Sequence, residues 1–133
     1  THSCGSAIKL THLESKFQLH SHDISWGSGS KQQSVTGLQS PDDQGNLWLV
    51  KEANPDSFCT TGTPVSCGSM IRLEHVATAK NLHSHTFRSA LSSQQEVSCF
   101  GAGDVGDIND FWTVTCTTSG LEFWNRKGIL RLK

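Results

Sequence analysis

The sequence predicts an all-β protein on three observations. Apolar residues come in twos and fours separated by Gly, Ser, Asn, Asp or Pro. No window of ten or more residues places them at i, i+3, i+4 and i+7, as an amphipathic helix requires. Where they are regular they alternate: Ile71, Leu73 and His75 share one face of residues 70–76, and Arg72 and Glu74 the other, the period of a half-buried strand.

Taken in order, the first strand is expected over residues 7–13, where Ile8 and Leu10 alternate with Lys9 and Thr11. Turn-forming residues at 14–16, 26–31 and 41–45 then separate strands at 18–22, 33–36 and 47–51. A second series follows at 70–76, 81–85, 96–100 and 111–115, with a loop at 101–109.

The two series are copies of each other. Cys4-Gly5-Ser6-Ala7-Ile8-Lys9-Leu10 matches Cys67-Gly68-Ser69-Met70-Ile71-Arg72-Leu73, and Leu19-His20-Ser21-His22 matches Leu82-His83-Ser84-His85 in the same register. Gln32-Gln33-Ser34-Val35 meets Gln94-Gln95-Glu96-Val97, and Trp48 meets Trp112. Residues 128–133 resemble the opening of a third copy. The chain therefore reads as one domain over 1–133, with units at 4–60 and 67–118 and the start of a third at 124–133. Four-stranded units of this spacing suit a closed all-β architecture, which hides strand edges.

Charge and length exclude several functions. The 133 residues carry 11 Lys+Arg against 12 Asp+Glu, a net charge of -1, which argues against a nucleic-acid partner. Arg72, Lys80, Arg88, Arg126, Lys127 and Arg131 form no cluster beyond Arg126-Lys127, against phosphate ligands. The longest apolar run, at 47–50, is far too short for a membrane-spanning helix. The chain opens on neither Met nor a charged, then apolar, leader, so any signal peptide is expected to be already absent.

Catalysis finds no support, since G-x-S-x-G, H-E-x-x-H and P-loop patterns are all missing, and no enzyme is expected. The His20/His22 and His83/His85 pairs each project to one face of a strand and invite a metal reading. A structural zinc site needs four converging ligands, and no carboxylate with the same repeated spacing stands out, so neither metal nor cofactor is expected. His12 and His75 read as core histidines, and Trp48 and Trp112 as core closures of their units. Binding candidates are the repeated His20, Ser21 and His22 with His83, Ser84 and His85, and the amides of Gln32, Gln33, Gln94 and Gln95. These amides can read hydroxyls, or simply brace the facing His-Ser-His turn. Trp26, in a Gly/Ser loop, is a candidate platform for a sugar ring or an apolar peptide.

The order G-S-x-I-[KR]-L-x-H, L-H-S-H, Q-Q-x-V and a closing Trp is similar to the MIR motif of protein O-mannosyltransferases and of inositol trisphosphate and ryanodine receptors. Residues 19–23, 27–30, 32–37 and 62–68 resemble most the stromal cell-derived factor 2 proteins. The resemblance implies a β-trefoil of MIR repeats with its third repeat truncated, located in the endoplasmic reticulum lumen or secreted. It further implies a non-catalytic chaperone cofactor in protein quality control, with Hsp70- and J-type chaperones and unfolded clients as partners. The alternative, from the mannosyltransferase likeness, is a module that reads mannose-type glycans.

Five cysteines occupy positions 4, 59, 67, 99 and 116, with no C-x-x-C. The repeat orders them: Cys4 opens the first unit and Cys59 follows its last strand, while Cys67 and Cys116 do the same in the second. Disulfides Cys4-Cys59 and Cys67-Cys116 are therefore expected, with Cys99 free; the alternative is five reduced thiols.

Overall fold

The alternation at 70–75 becomes the strand on which the sheet is built. In a computed structural model, which describes residues 2–53, 60–89, 92–101, 107–117, 120–126 and 128–133, β5 (Met70–His75) has neighbours on both edges. It pairs with β4 (Trp48–Glu52), β6 (Lys80–Arg88) and β8 (Trp112–Cys116), all antiparallel. Ile71, Leu73 and His75 on the alternating face are 4%, 0% and 0% exposed, and on the opposite face Arg72 is buried too, at 5%, with its Nε donating to the Glu52 carbonyl. The other strands are β1 (Ala7–Ile8), β2 (Gln18–Ser25), β3 (Gln33–Leu38), β7 (Gln95–Phe100) and β9 (Leu130–Leu132). The curled sheet runs β1-β4-β5-β6-β7-β3-β2, with β8 beside β5 and β9 on β8.

The repeat is visible in the hydrogen bonds. Hairpin β2–β3 pairs Gln18 with Leu38 and Ser21 with Val35, then shifts register before Ser25 meets Gln33. Hairpin β6–β7 pairs Asn81 with Phe100 and Ser84 with Val97, then shifts before Arg88 meets Gln95. The Trp48 indole donates to the Leu19 carbonyl at 3.0 Å, and the Trp112 indole to that of Leu82 at 2.9 Å. β9 joins β8 as β5 joins β4. The two hairpins meet where Gln33 and Ser34 of β3 pair with Cys99 and Ser98 of β7.

Trp48, Val50, Leu73, Leu82, Val114 and Trp124 form the centre of one core. Burying each aliphatic side chain contributes about 1.5–3 kcal/mol. A cavity of about 880 Å³, lined by Leu10, Leu19, Val35, Val97, Trp124 and Leu130, opens beside β9.

Three local features depart from the sequence reading. The strand expected over 7–13 is regular only over Ala7–Ile8, where it pairs with β4; further on, an isolated antiparallel bridge, Thr11 with Gln18, and the Leu19 amide on the Leu10 carbonyl at 2.9 Å tie it to β2. Beyond it the chain turns over, the His12 amide donates to the Phe17 carbonyl, and His12 is exposed with Nδ1 on Ser15 Oγ rather than in the core. β2 and β6 run on to Ser25 and Arg88, past the expected ends, because the register shift lets each hairpin resume pairing.

The loops at 41–45 and 101–109 end in 3-10 turns, Gln44–Asn46 and Ile108–Asp110. The Asp43 carboxylate caps the first by accepting from the Gly45 amide at 2.8 Å, and Asp107 caps the second from Asn109 at 2.8 Å. Gly45 has no substitute, since a Cβ there would overlap the Ser21 carbonyl and the His20 ring.

A disulfide joins Cys67 to Cys116, whose Cα atoms are 5.6 Å apart. Closing a loop of this length is worth about 4 kcal/mol on the chain-entropy model. Cys4 is disulfide-bonded too, while Cys59, its expected partner, lies outside the described residues. Cys99 is free and buried, and burial pushes its thiol up to about 11.

Candidate functional site

The repeated histidines are hydrogen-bonded to positions contributed by the 3-10 turns. In unit 1, β2 carries His20 inward and the turn after Asp43 brings Asn46 to it, with Nδ1 2.8 Å from Oδ1. The Asn46 amide nitrogen is used by Gln18 Oε1 at 3.0 Å and the Ser40 carbonyl at 2.8 Å. Its oxygen must therefore accept, and His20 carries its proton on Nδ1. The Nε2 lone pair of His20 then accepts from His22 Nδ1 at 2.9 Å.

In unit 2 the equivalent His83 donates from Nδ1 to Asp110 Oδ1 at 2.7 Å. The other Asp110 oxygen accepts the Asp107 amide at 2.9 Å, completing a capping box. His85 donates from Nε2 to Glu96 Oε2 at 3.1 Å, and the Ser30 amide reaches the same oxygen at 3.3 Å. Burial alone would push the Glu96 carboxyl up; the hydrogen bonds from Ser30 and His85 more than offset it and hold it below the usual range.

A third set of polar groups seals the seam between the units. Gln33 Nε2 donates to Ser21 Oγ at 2.8 Å and Thr78 Oγ1 at 3.0 Å, and Ser21 Oγ donates to the Ser34 carbonyl at 2.6 Å. His75 donates from Nε2 to the Gly45 carbonyl at 2.9 Å, so Nδ1 accepts from Thr78 at 2.8 Å. Desolvation lowers the His75 pKa and the nearby His20 and His22 rings add to this, while its bond to Gly45 opposes it in part.

Each candidate can now be placed. His20, Ser21, Gln33 and His83 are buried, at 4%, 1%, 3% and 2% exposure. Ser84 is half-buried, with Oγ on the Glu96 carbonyl, and His85 sits beside it. Gln32 Oε1 accepts from Ser98 Oγ at 2.7 Å, and the Trp26 indole donates to the Val97 carbonyl at 3.1 Å; both side chains are half-buried. His22, Gln94 and Gln95 remain exposed, with Gln95 Nε2 on the His85 carbonyl.

The sequence reading missed Asn46, Glu96 and Asp110. A signal for two of them existed in Asp43-x-x-Asn46-x-Trp48 and Asp107-x-x-Asp110-x-Trp112, which does give a carboxylate the repeated spacing judged missing. Also missed are the exposed apolar residues beside the clusters. Ile24 and Phe87 hold equivalent places on β2 and β6, at 59% and 51% exposure, and Ile108 is 76% exposed.

These features define a class: an all-β, internally repeated module of β-trefoil type, whose repeated polar pattern braces hairpins from within. The MIR domain model matches residues 18–120, and the chain belongs to the MIR domain family. It is 48% identical over 131 residues to stromal cell-derived factor 2 of Homo sapiens, covering 98% of this chain and 60% of that protein. A stromal cell-derived factor 2-like protein of Dictyostelium discoideum is 48% identical over 132 residues, covering 97% and 61%. The crystal structure of the SDF2-like protein from Arabidopsis thaliana superposes with a TM-score of 0.94 at 44% identity, covering 98% of this chain and 71% of that one. The S. cerevisiae protein O-mannosyltransferase Pmt1-Pmt2 complex bound to the sugar donor matches with a TM-score of 0.84 at 32% identity, over 98% of this chain and 19% of that one. The chain spans about three-fifths of the length of the curated relatives it matches. Among the described residues no helix is long and apolar enough to cross a membrane.

Proposed function

We propose that the chain is a non-catalytic binding module of the endoplasmic reticulum lumen that holds protein partners, namely Hsp70- and J-type chaperones or unfolded clients, in protein quality control. One observation carries the choice of protein over sugar. Most of the His-Ser-His and Gln groups that would read hydroxyls are buried or half-buried and hydrogen-bonded within the protein, whereas apolar Ile24, Phe87 and Ile108 are exposed. Exposed apolar side chains match the chemistry of an unfolded chain. The Cys67–Cys116 disulfide supports an oxidising compartment. Glycan reading is the second reading, favoured by the exposed side chains of His22, Gln94 and Gln95.

The test is binding of a reduced, carboxymethylated model protein, bearing no glycan, to wild type and to an Ile24→Ser/Phe87→Ser variant. The proposal expects binding by wild type and its loss in the variant at unchanged thermal stability. Capture from secretory-pathway lysate that disappears on prior deglycosylation, with no binding to the model protein, overturns it in favour of the lectin.

A further inference from the structure

The two units provide an internal comparison that isolates one chemical change. His20 Nδ1 faces the Asn46 amide at 2.8 Å and the Asp43 carboxylate at 3.8 Å. His83 Nδ1 faces the Asp110 carboxylate at 2.7 Å and the Asp107 carboxylate at 3.8 Å. Geometry is preserved while a neutral amide becomes a second anion. His83, Asp107 and Asp110 each offer one ligand atom, and all three lie within 4.8 Å of one another. His83 and Asp110 are 2% and 0% exposed, whereas the Asp107 side chain, at 48%, leaves the cluster open to solvent.

A second observation points into the same place. Asn81 is 0% exposed, yet neither its Nδ2 nor its Oδ1 finds a hydrogen-bond partner among the described residues. An orphaned buried amide costs about 1–3 kcal/mol and calls for a partner. In unit 1 its counterpart Gln18 meets the Asn46 amide at 3.0 Å. Asn81 stands two residues before His83 on β6, on the same face of the strand, as Gln18 stands before His20 on β2.

We propose that unit 2 binds one divalent transition-metal ion through His83 Nδ1, Asp107 Oδ1 and Asp110 Oδ1, with Asn81 Oδ1 as the nearby fourth oxygen, and that unit 1 does not. One imidazole with oxygen donors suits Zn²⁺, Co²⁺ or Mn²⁺ rather than Ca²⁺. The dication takes the place of the Nδ1 proton; the neutral ring keeps its one proton, which moves to Nε2. The capping bonds survive, because Asp107 Oδ1 and Asp110 Oδ2 hold backbone amides with only some of their lone pairs.

The experiment is titration of the purified chain with Co²⁺ alone, read by its visible d–d absorption and by displacement with Zn²⁺. Wild type is expected to take up one equivalent. Asp110→Asn should weaken binding at least about tenfold. That variant should also fold, because Asn46 already makes the same bond to His20 in unit 1. Asp107→Asn should weaken binding likewise, and Asn46→Asp should create a second equivalent. A His22→Ala variant, lacking the exposed imidazole of unit 1, should keep the one equivalent. No uptake of Co²⁺ or Zn²⁺, or uptake that Asp110→Asn leaves unchanged, overturns the site; such a result would leave the protein-binding reading untouched, since neither arm measures a partner.

Discussion

The Trp26 indole nitrogen donates to the Val97 carbonyl at 3.1 Å, clasping a loop of the first unit to a strand of the second across 71 residues. The Ser30 amide on Glu96 reinforces the clasp. Trp26→Phe keeps the apolar ring and deletes the donor, leaving a half-buried carbonyl short of a partner. Stability should fall by about 1–2 kcal/mol, measured as a lower urea midpoint at unchanged slope. An unchanged midpoint would remove the clasp and restore Trp26 as a free binding platform.

Gly45→Ala should be among the most damaging small substitutions in the molecule. The added methyl meets the Ser21 carbonyl and the His20 ring, which cannot move without disturbing β2 and the His20–Asn46 bond. Overpacking of this kind costs about 1–3 kcal/mol. Gly62→Ala provides a comparison free of that clash, since nothing lies within 4 Å of a Cβ there, although its φ of 92° is itself unfavourable for alanine. Gly45→Ala is expected to lower the thermal midpoint by more than Gly62→Ala.

Acid should weaken the seam between the units. His75 is held neutral in the fold, its pKa depressed by desolvation below the 6.5 of the unfolded chain. Its contribution is fully present above that value. As the pH falls through and below 6.5, the unfolded chain gains a proton that the folded one refuses, and stability is lost. His2, also lowered first by desolvation, acts in the same direction. The urea midpoint should drop between about pH 7.5 and about pH 5.5, and His75→Gln should make that drop smaller.

Thiol chemistry should divide the cysteines three ways. Buried, and with its thiol pushed up to about 11, Cys99 should resist an aqueous thiol reagent in the native protein and react after unfolding without reductant. Non-reducing peptide mapping should return the Cys67–Cys116 linkage together with the expected Cys4–Cys59 linkage. A scrambled pairing would contradict the ordering of cysteines by the repeat.

Most of the strand order was readable because the two copies corroborate each other: period-2 alternation at 70–75 located β5, and matching tryptophans marked the ends of both units. The length of β1 was not readable, because alternation at 7–13 does not tell a continuous ladder from the isolated Thr11–Gln18 bridge that replaces it beyond Ile8. The His-Ser-His pattern was legible as a motif but not in its direction. Whether His20 and Gln33 face solvent or seam depends on how the sheet curls and on where Asn46 and Thr78 arrive from distant turns. Single-strand parity carries no such information.

The clasp of Trp26 and Ser30 onto β7 also sets a schedule for synthesis. Hairpin β2–β3 leaves the ribosome well before the residues that hold its tip, and at roughly 5–20 residues per second the interval is about 4–14 s. Through that interval the indole of Trp26 and the amide of Ser30 have no partner, so the newborn first unit is itself an exposed, incomplete surface until Glu96 and Val97 emerge.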